Sequence, residues 1–290
     1  MDRRLEIKID STLSGKTIKE ILKNRFKIST AILTELKETP DGILLNSEKV
    51  FVNIKAEEGS CLVVNMKDKR SDIDGKNIPL DIIFEDEDII VVNKGRGMPI
   101  HPSLNHYDDT LANALMYYFS DENFTFRVIT RLDKDTSGVV LLAKNPLSGA
   151  ILSEEMKNGN IEKEYIALVN GTPSPCRGRI DAPIKRKSDS VILRCVAPDG
   201  KEAVTEYETI KEKGDLSLLK LHPKTGRTHQ IRVHLSYIGH PIYGDDLYGA
   251  KQREEKVRLH CGKISFRHPI TGESLSLSAE IPSDISREIE

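Results

Sequence analysis

Hydrophobic residues recur at helical spacing early in the chain and in strand-like blocks over most of the rest. In the first unit, apolar side chains at 18, 21, 22 and 26 predict one helix. A second helix follows, which either Ser29 or Thr30 can cap. Strands are then predicted at 42–45, 50–52 and 61–64, the first two joined by a turn at Asn46 and Ser47. The pattern therefore predicts a small unit of two helices followed by strands over residues 6–66.

A polar segment separates this unit from a larger domain. Residues 67–76 contain a single apolar residue, which is typical of a linker. Strand-like apolar blocks follow at 82–84, 89–92, 139–142, 165–169, 191–193 and 218–221. Helices are predicted at 110–119 and at 228–238, the second capped by Thr228 and ended by Gly239. Many strands and few helices predict an α+β fold, with a mixed, mainly antiparallel β-sheet flanked by helices.

Composition narrows the class of protein. With 290 residues the chain is long enough for about two domains. The 43 Lys and Arg against 45 Asp and Glu give a net charge of −2, so any binding of nucleic acid must depend on local patches. The longest apolar run, residues 114–119, is far shorter than a membrane span, and no export signal begins the sequence. Four scattered cysteines favour reduced thiols in the cytoplasm over a disulfide framework or a zinc site.

Two segments carry candidate chemistry. The first is Arg-Leu-Asp-Lys-Asp-Thr-Ser-Gly at 131–138, where a loop with two carboxylates enters a predicted strand. Loops on rigid supports often hold reactive groups, although a salt-bridged turn fits the pattern as well. The second is 220–234, with four Lys or Arg, three His and no acid. Its helix N-terminus and Arg227 could face an anion, and solvated charges on a capped helix are the alternative. No further ligand lies at a usual spacing from the three histidines, so no metal is expected there.

These segments, in this order, resemble the RluA family of RNA pseudouridine synthases of the ribosomal large subunit type. The family signature His-Arg-Leu-Asp-x-x-Thr-Ser-Gly matches residues 130–138 except that Thr130 replaces the histidine. The sequence also departs from the family at Gly95, which follows Lys94 and stands where Lys-Pro is common in the family. Further similar segments lie at 83–94, 97–102, 163–169, 226–235, 239–245 and 258–260. The resemblance covers roughly residues 79–282.

The resemblance implies a division of the chain into domains. The N-terminal unit is similar to the S-four-like RNA-binding fold that often precedes this catalytic domain. We therefore expect an S-four-like α/β RNA-binding domain at 1–68, a linker at 69–78 and a pseudouridine synthase catalytic domain at 79–290. The fused RNA-binding unit favours 23S ribosomal RNA as the substrate, and transfer RNA is the alternative.

The resemblance also assigns roles to side chains. Asp133 is the expected catalytic carboxylate, acting either as a nucleophile at the sugar or as the base that begins glycal formation, whereas Asp135 has no family role. Arg232 is expected to pair with Asp133 and to keep it ionised. Tyr165 should stack on uracil and assist proton removal at carbon 5. The expected substrate contacts are Arg131, which displaces the base, Leu259, which packs beside it, and Arg227, His229 and Gln230.

Isomerisation of uridine needs no redox chemistry and no group donor, so neither a cofactor nor a metal is expected. We expect a cytoplasmic monomer whose partner is RNA, with no membrane attachment. Two other classes remain open from the sequence. One is a non-catalytic RNA-binding or ribosome-assembly protein, and the other is a hydrolase of glycosidic bonds that uses Asp133 and Asp135 as paired carboxylates.

Overall fold

The computed structural model describes residues 1–249 and 256–289. Residues 250–255 and 290, which fall within the predicted catalytic domain, lie outside the described residues. The helices are α1 (Ile18–Glu20), α2 (Thr30–Glu38), α3 (Leu111–Tyr118), α4 (Pro146–Lys157), α5 (Gln230–Tyr237) and α6 (Ser283–Ile289), and a π-helical turn, Ile21–Arg25, continues α1. None of the helices in these ranges combines the length and the hydropathy needed to span a bilayer.

The strands form one large sheet and two small ones. They are β1 (Arg3–Lys8), β2 (Ile43–Leu45), β3 (Glu48–Lys49), β4 (Cys61–Met66), β5 (Ile82–Glu85), β6 (Ile89–Lys94), β7 (Ser137–Ala143), β8 (Glu162–Asn170), β9 (Arg177–Asp181), β10 (Ile184–Arg186), β11 (Arg194–Val196), β12 (Val204–Lys213), β13 (Leu216–Pro223), β14 (Leu259–Arg267) and β15 (Ser274–Ser278). The sheet orders are β1-β4-β2-β3, β10-β11 and β5-β6-β7-β14-β8-β13-β12-β9, with β15 paired to β14.

The N-terminal unit packs its two helices on the sheet β1-β4-β2-β3. Ser29 caps α2 by accepting the Ile32 N–H, as one of the two expected caps. The predicted strand at 50–52 is wrong. Asn46 and Ser47 both adopt positive φ and close a two-residue turn, so the return strand is Glu48–Lys49. The apolar side chains of this unit form a core of their own, joined by Leu147 from α4.

The large sheet confirms the α+β prediction. Its neighbouring strands pair antiparallel except β7 and β14, which run parallel. The predicted strand at 191–193 is wrong. These residues lie in the turn of the β10–β11 hairpin, where Val191 and Ile192 are exposed to water. The sequence pattern also misses α4, since among its buried residues only Leu147 and Leu152 are large and apolar.

The segment predicted as a linker is packed on the larger domain. Asp68 accepts a 2.7 Å hydrogen bond from Arg127 Nη1. The Arg70 guanidinium donates to the carbonyl oxygens of Met116, Phe119, Ser120 and Glu122, at the C-terminus of α3. These bonds satisfy carbonyl groups that have no partner inside the helix. The polar composition of the segment therefore serves fixed contacts, and the proposed domain boundaries stay a prediction.

Candidate active site

An open cleft of about 500 Å³ lies beside the N-terminus of α5. All eight site residues predicted from the sequence line this cleft: Arg131, Asp133, Tyr165, Arg227, His229, Gln230, Arg232 and Leu259. They come from the loop before β7, from β8, from the segment that leads into α5, from the first turn of α5 and from the first residue of β14. The fold thus brings together side chains that are more than 120 positions apart in the sequence, as between Asp133 and Leu259.

Asp133 lies in a loop whose backbone is fixed by hydrogen bonds. The Thr136 N–H donates to the Asp133 carbonyl at 3.1 Å and closes a turn. The carbonyl of the next residue, Lys134, accepts both the Gly97 N–H and the ammonium of Lys94, at 3.0 Å each. Lys94 is fully buried and also donates to the carbonyls of Gly95 and Met98. The loop therefore presents the Asp133 side chain, 27% exposed, from a fixed backbone.

The Ser137-Gly138 pair explains the end of the motif. Gly138 has a φ of +114°, and a Cβ at this position would lie 2.2 Å from the Cys261 carbonyl oxygen. Only glycine therefore permits the close parallel approach of β7 to β14. Ser137 Oγ and His260 Nδ1 form a 2.9 Å hydrogen bond across the same two strands. These contacts fix the position of Leu259, at the start of β14, relative to the Asp133 loop.

Arg232 is held by a carboxylate that the sequence analysis did not nominate. Its Nε and Nη2 donate to the two oxygens of Asp245 at 2.7 Å each, and both side chains are buried. Its third nitrogen, Nη1, points toward Asp133 Oδ2 at 4.0 Å. The expected pairing of Arg232 with Asp133 is therefore a longer ion pair, and the hydrogen bonds go to Asp245. Burial lowers the pKa of Arg232, but the bonds to Asp245 outweigh it and the net shift is upward.

The segment before α5 is shaped by Gln230. Its amide oxygen accepts from Thr225 Oγ1 and the Arg227 N–H, and its amide nitrogen donates to the Val204 carbonyl and Thr205 Oγ1. All four of its hydrogen-bonding positions are therefore used within the protein. The predicted cap at Thr228 is wrong, because α5 begins after His229, which has a φ of +56° and makes no side-chain cap. A contact of Gln230 with RNA stays a prediction.

His229 lines the cleft, and Tyr248 packs behind it. His229 Nδ1 and the Tyr248 hydroxyl are 2.8 Å apart, and the Tyr248 ring lies 5.2 Å from the Arg232 guanidinium. Burial lowers the pKa of His229. The sequence analysis missed Tyr248, which follows the similar segment 239–245 that also contains Asp245. The similarity of that segment to the family was the sequence signal that could have indicated Asp245 and the nearby Tyr248.

Tyr165 and Leu259 contribute apolar side chains to the cleft, from neighbouring strands β8 and β14. Both side chains are buried. Burial raises the pKa of Tyr165 well above its ordinary value, and the neighbouring Cys261 and Asp133 act in the same direction. The phenol therefore keeps its proton at neutral pH. A buried ring beside an aliphatic side chain is suited to packing against a flat base.

The charged side chains that line the cleft are mainly cationic, which favours binding of an anion, and one acid lies among them. Among the described residues that line the cleft, Asp133 is the only Asp or Glu, whereas Arg131, Lys163, Arg227 and Arg232 are cationic. Arg131 is exposed and has no carboxylate partner within residues 1–249 and 256–289. Asp135 does not line the cleft. The geometry thus separates the two carboxylates of the motif.

Comparison with known proteins identifies related sequences and structures. Residues 88–237 match the family described as RNA pseudouridylate synthase. The Bacillus subtilis RNA pseudouridine synthase YjbO is 38% identical over 276 residues, which cover 93% of this chain and 97% of the relative. Ribosomal large subunit pseudouridine synthase D of Zymomonas mobilis is 35% identical, with 84% of each chain covered. The structure of human RNA pseudouridylate synthase domain containing 1 aligns with a TM-score of 0.61 and 29% identity, over 71% of this chain and 85% of the human one.

Proposed function

The chain belongs to the RNA pseudouridylate synthase family, and from that premise we propose that Asp133 is its catalytic carboxylate and large-subunit ribosomal RNA its substrate. The observation that carries the first proposal is the position of Asp133 as the only Asp or Glu among the described residues that line a cationic cleft. An enzyme of this family isomerises uridine in RNA. The reaction breaks the bond between ribose C1′ and uracil N1, turns the base and joins its C5 to C1′, with loss of the C5 proton.

Each part of the cleft has a place in this chemistry. The carboxylate of Asp133 begins cleavage of the glycosidic bond, at the sugar face of the nucleotide. Arg232, anchored by Asp245, keeps a fixed positive charge 4.0 Å from that carboxylate. Tyr165 and Leu259 pack against the released uracil and limit its motion while it turns. We assign Tyr165 to this packing contact, and its expected role in proton removal at carbon 5 stays a prediction.

The target uridine must leave the base stack to enter this cleft. Arg131 is suited to taking its place, because the guanidinium is exposed at the cleft and its charge is not neutralised by a carboxylate of the described residues. A planar guanidinium can stack on bases and bind phosphate. We therefore propose that Arg131 fills the position that the flipped uridine vacates, in a cytoplasmic enzyme that acts on structured RNA.

A hydrolase of glycosidic bonds is less well supported. That chemistry needs a second carboxylate at a fixed separation from the first. Asp135 does not line the cleft, and the oxygens of Asp245 are both bonded to the buried Arg232. The described residues therefore offer Asp133 no catalytic partner of this kind.

The choice of ribosomal RNA rests on the relatives. Relatives from Zymomonas mobilis and from two Vibrio species, 35–38% identical, are named ribosomal large subunit pseudouridine synthase D. The basic cleft suits any RNA, so it does not distinguish ribosomal from transfer RNA. The proposal is therefore tested by mapping pseudouridine in both RNA classes, in a strain that carries the gene and in a deletion strain.

The mapping experiment includes matched variants. We expect the deletion to remove pseudouridine from one or more sites in large-subunit ribosomal RNA, and the wild-type gene to restore them. Asp133→Asn should fail to restore them, because the amide cannot begin bond cleavage, while Asp135→Asn should restore them. Loss confined to transfer RNA would refute the substrate proposal. Restoration by Asp133→Asn would refute the catalytic one.

A further inference from the structure

A short hairpin next to the cleft exposes two aliphatic side chains at its tip. Strands β10 and β11 pair from Ile184 with Val196 to Arg186 with Arg194, and residues 187–193 close the hairpin. Val191 is 78% exposed and Ile192 is 60% exposed. Two adjacent side chains of this kind contribute little to the core. Their exposure instead suggests a surface that contacts a partner.

The tip has a fixed conformation. Ser190 Oγ accepts the N–H groups of Ile192 and Leu193 at 3.2 and 3.0 Å. Arg194 Nη1 donates to the carbonyl oxygens of the three residues at the tip: Val191 at 3.3 Å, Ile192 at 2.9 Å and Leu193 at 3.1 Å. Because the loop is already ordered, insertion of its tip into a partner needs little further loss of conformational entropy.

The base of the tip is hydrogen-bonded, through Tyr248, to a residue that lines the cleft. The Arg194 N–H donates to the Tyr248 hydroxyl at 3.1 Å, and that hydroxyl is 2.8 Å from His229 Nδ1. His229 lines the cleft. Ile192 is two residues from Arg194 and therefore at most about 7 Å from it along the chain. The exposed pair is thus joined to the cleft residue His229 by a short path through Arg194 and Tyr248.

The charges around the tip fit RNA. Residues 185–194 contain four Lys or Arg and one Asp, and two of these cations face carboxylates, Lys185 with Asp199 at 2.7 Å and Lys187 with Asp189 at 3.9 Å. Arg186 and Arg194 keep the hairpin positively charged. Apolar side chains at the tips of basic elements can insert between bases and hold them unstacked. A uridine that leaves its stack opens a gap between its neighbours. We propose that Val191 and Ile192 form a wedge that packs against a base flanking the target uridine, beside the position that Arg131 fills, and that stabilises the unstacked state while the uridine occupies the cleft.

The wedge rests on the proposed function, since it requires an RNA in which the uridine is flipped. It makes a specific kinetic prediction. Phosphate contacts supply most of the RNA affinity, so loss of the wedge should change Kd by no more than about threefold. The rate at saturating RNA should fall because the flipped state is less populated. The deficit should shrink on an RNA whose target uridine is already unpaired, since less stacking then has to be broken.

The test compares variants on the RNA that the mapping identifies. The wedge variant is Val191→Ser with Ile192→Ser, and the conservative variant is Val191→Leu with Ile192→Leu. Ile210→Ser is the matched control, because Ile210 is an exposed aliphatic residue of β12 outside the cleft lining. Transcripts tritiated at uracil C5 report turnover, since that hydrogen is lost in the reaction. One transcript pairs the target uridine and a second leaves it unpaired.

On the paired transcript, we expect the serine variant to lose about tenfold in kcat, from the apolar contact removed. On the unpaired transcript, the loss should be less than about twofold. The leucine variant and Ile210→Ser should keep the wild-type kcat. Equal kcat for the serine variant and wild type, or an equal loss on both transcripts, would overturn the wedge and leave the proposed function intact. A wild type without activity on the mapped RNA would overturn both.

Discussion

Replacement of Asp245 by asparagine isolates the contact that holds Arg232. The change keeps the shape of the side chain but removes the negative charge that meets Arg232 at two bonds of 2.7 Å. Arg232 is 3% exposed and Asp245 0% exposed, so water cannot replace the lost partner. Removal of one partner from a buried ion pair costs about 3–5 kcal/mol of the free energy of unfolding. We therefore expect a loss of this size for Asp245→Asn.

The same guanidinium faces a second carboxylate in a different setting. Asp133 is 4.0 Å away and 27% exposed, so its contribution to stability is screened by water. Asp133→Asn should therefore change the free energy of unfolding by less than about 1 kcal/mol, while it abolishes turnover. Asp245 thus holds Arg232 in position, and Asp133 interacts with the positive charge of the Arg232 guanidinium.

Urea denaturation of the wild type, the single variants Asp245→Asn, Asp133→Asn and Arg232→Met, a control and a double variant measures these losses. Asp246→Asn is the matched control, since Asp246 is the exposed neighbour of Asp245 and should behave as wild type. A double variant, Arg232→Met with Asp245→Asn, removes both charges, and its loss should be well below the sum of the single losses. A loss under about 1 kcal/mol for Asp245→Asn, or additive losses in the double variant, would refute the reasoning.

Two further predictions follow from the supports of the Asp133 loop. Gly138→Ala should destabilise the protein and lower its melting temperature, because its Cβ would lie 2.2 Å from the Cys261 carbonyl oxygen at a φ of +114°; an unchanged melting temperature would contradict this account. Burial lowers the pKa of Lys94 to about 8, whereas the unfolded chain keeps the proton to about pH 10.4. The unfolded state therefore binds more protons between these values, so the free energy of unfolding should rise with pH there in the wild type relative to Lys94→Met. Urea denaturation of both proteins at pH 7, 8, 9 and 10 tests this, and parallel curves would speak against it.

The sequence predicted the members of the site better than their contacts. Asp133 and the other seven nominated residues meet in one cleft because the motif order of a family reflects a shared fold. The bond between Arg232 and Asp245 was missed because a carboxylate partner is chosen by three-dimensional proximity, and Asp133 was the more prominent acid in the sequence. The catalytic and binding roles of the eight residues stay predictions.

Errors in the secondary structure have a similar origin. Residues 191–193 have the apolar composition of a strand, but within the described part of the chain no strand pairs with them and Val191 and Ile192 are exposed, so they form a turn. Thr228 is a good helix cap by residue type, yet the left-handed conformation of His229 starts α5 two residues later. In both places the three-dimensional surroundings override the local propensity of the residues.

The insertion of β14 between β7 and β8 sets the order in which the enzyme can assemble during synthesis. β7 and β8 are made early, but they do not pair with each other, and the strand that joins them begins at Leu259. A nascent chain that ends before this residue lacks the centre of its sheet and the Leu259 side of the cleft. Such long-range pairing is slow to form. The large sheet and the Leu259 side of the cleft are therefore incomplete until β14 has emerged from the ribosome.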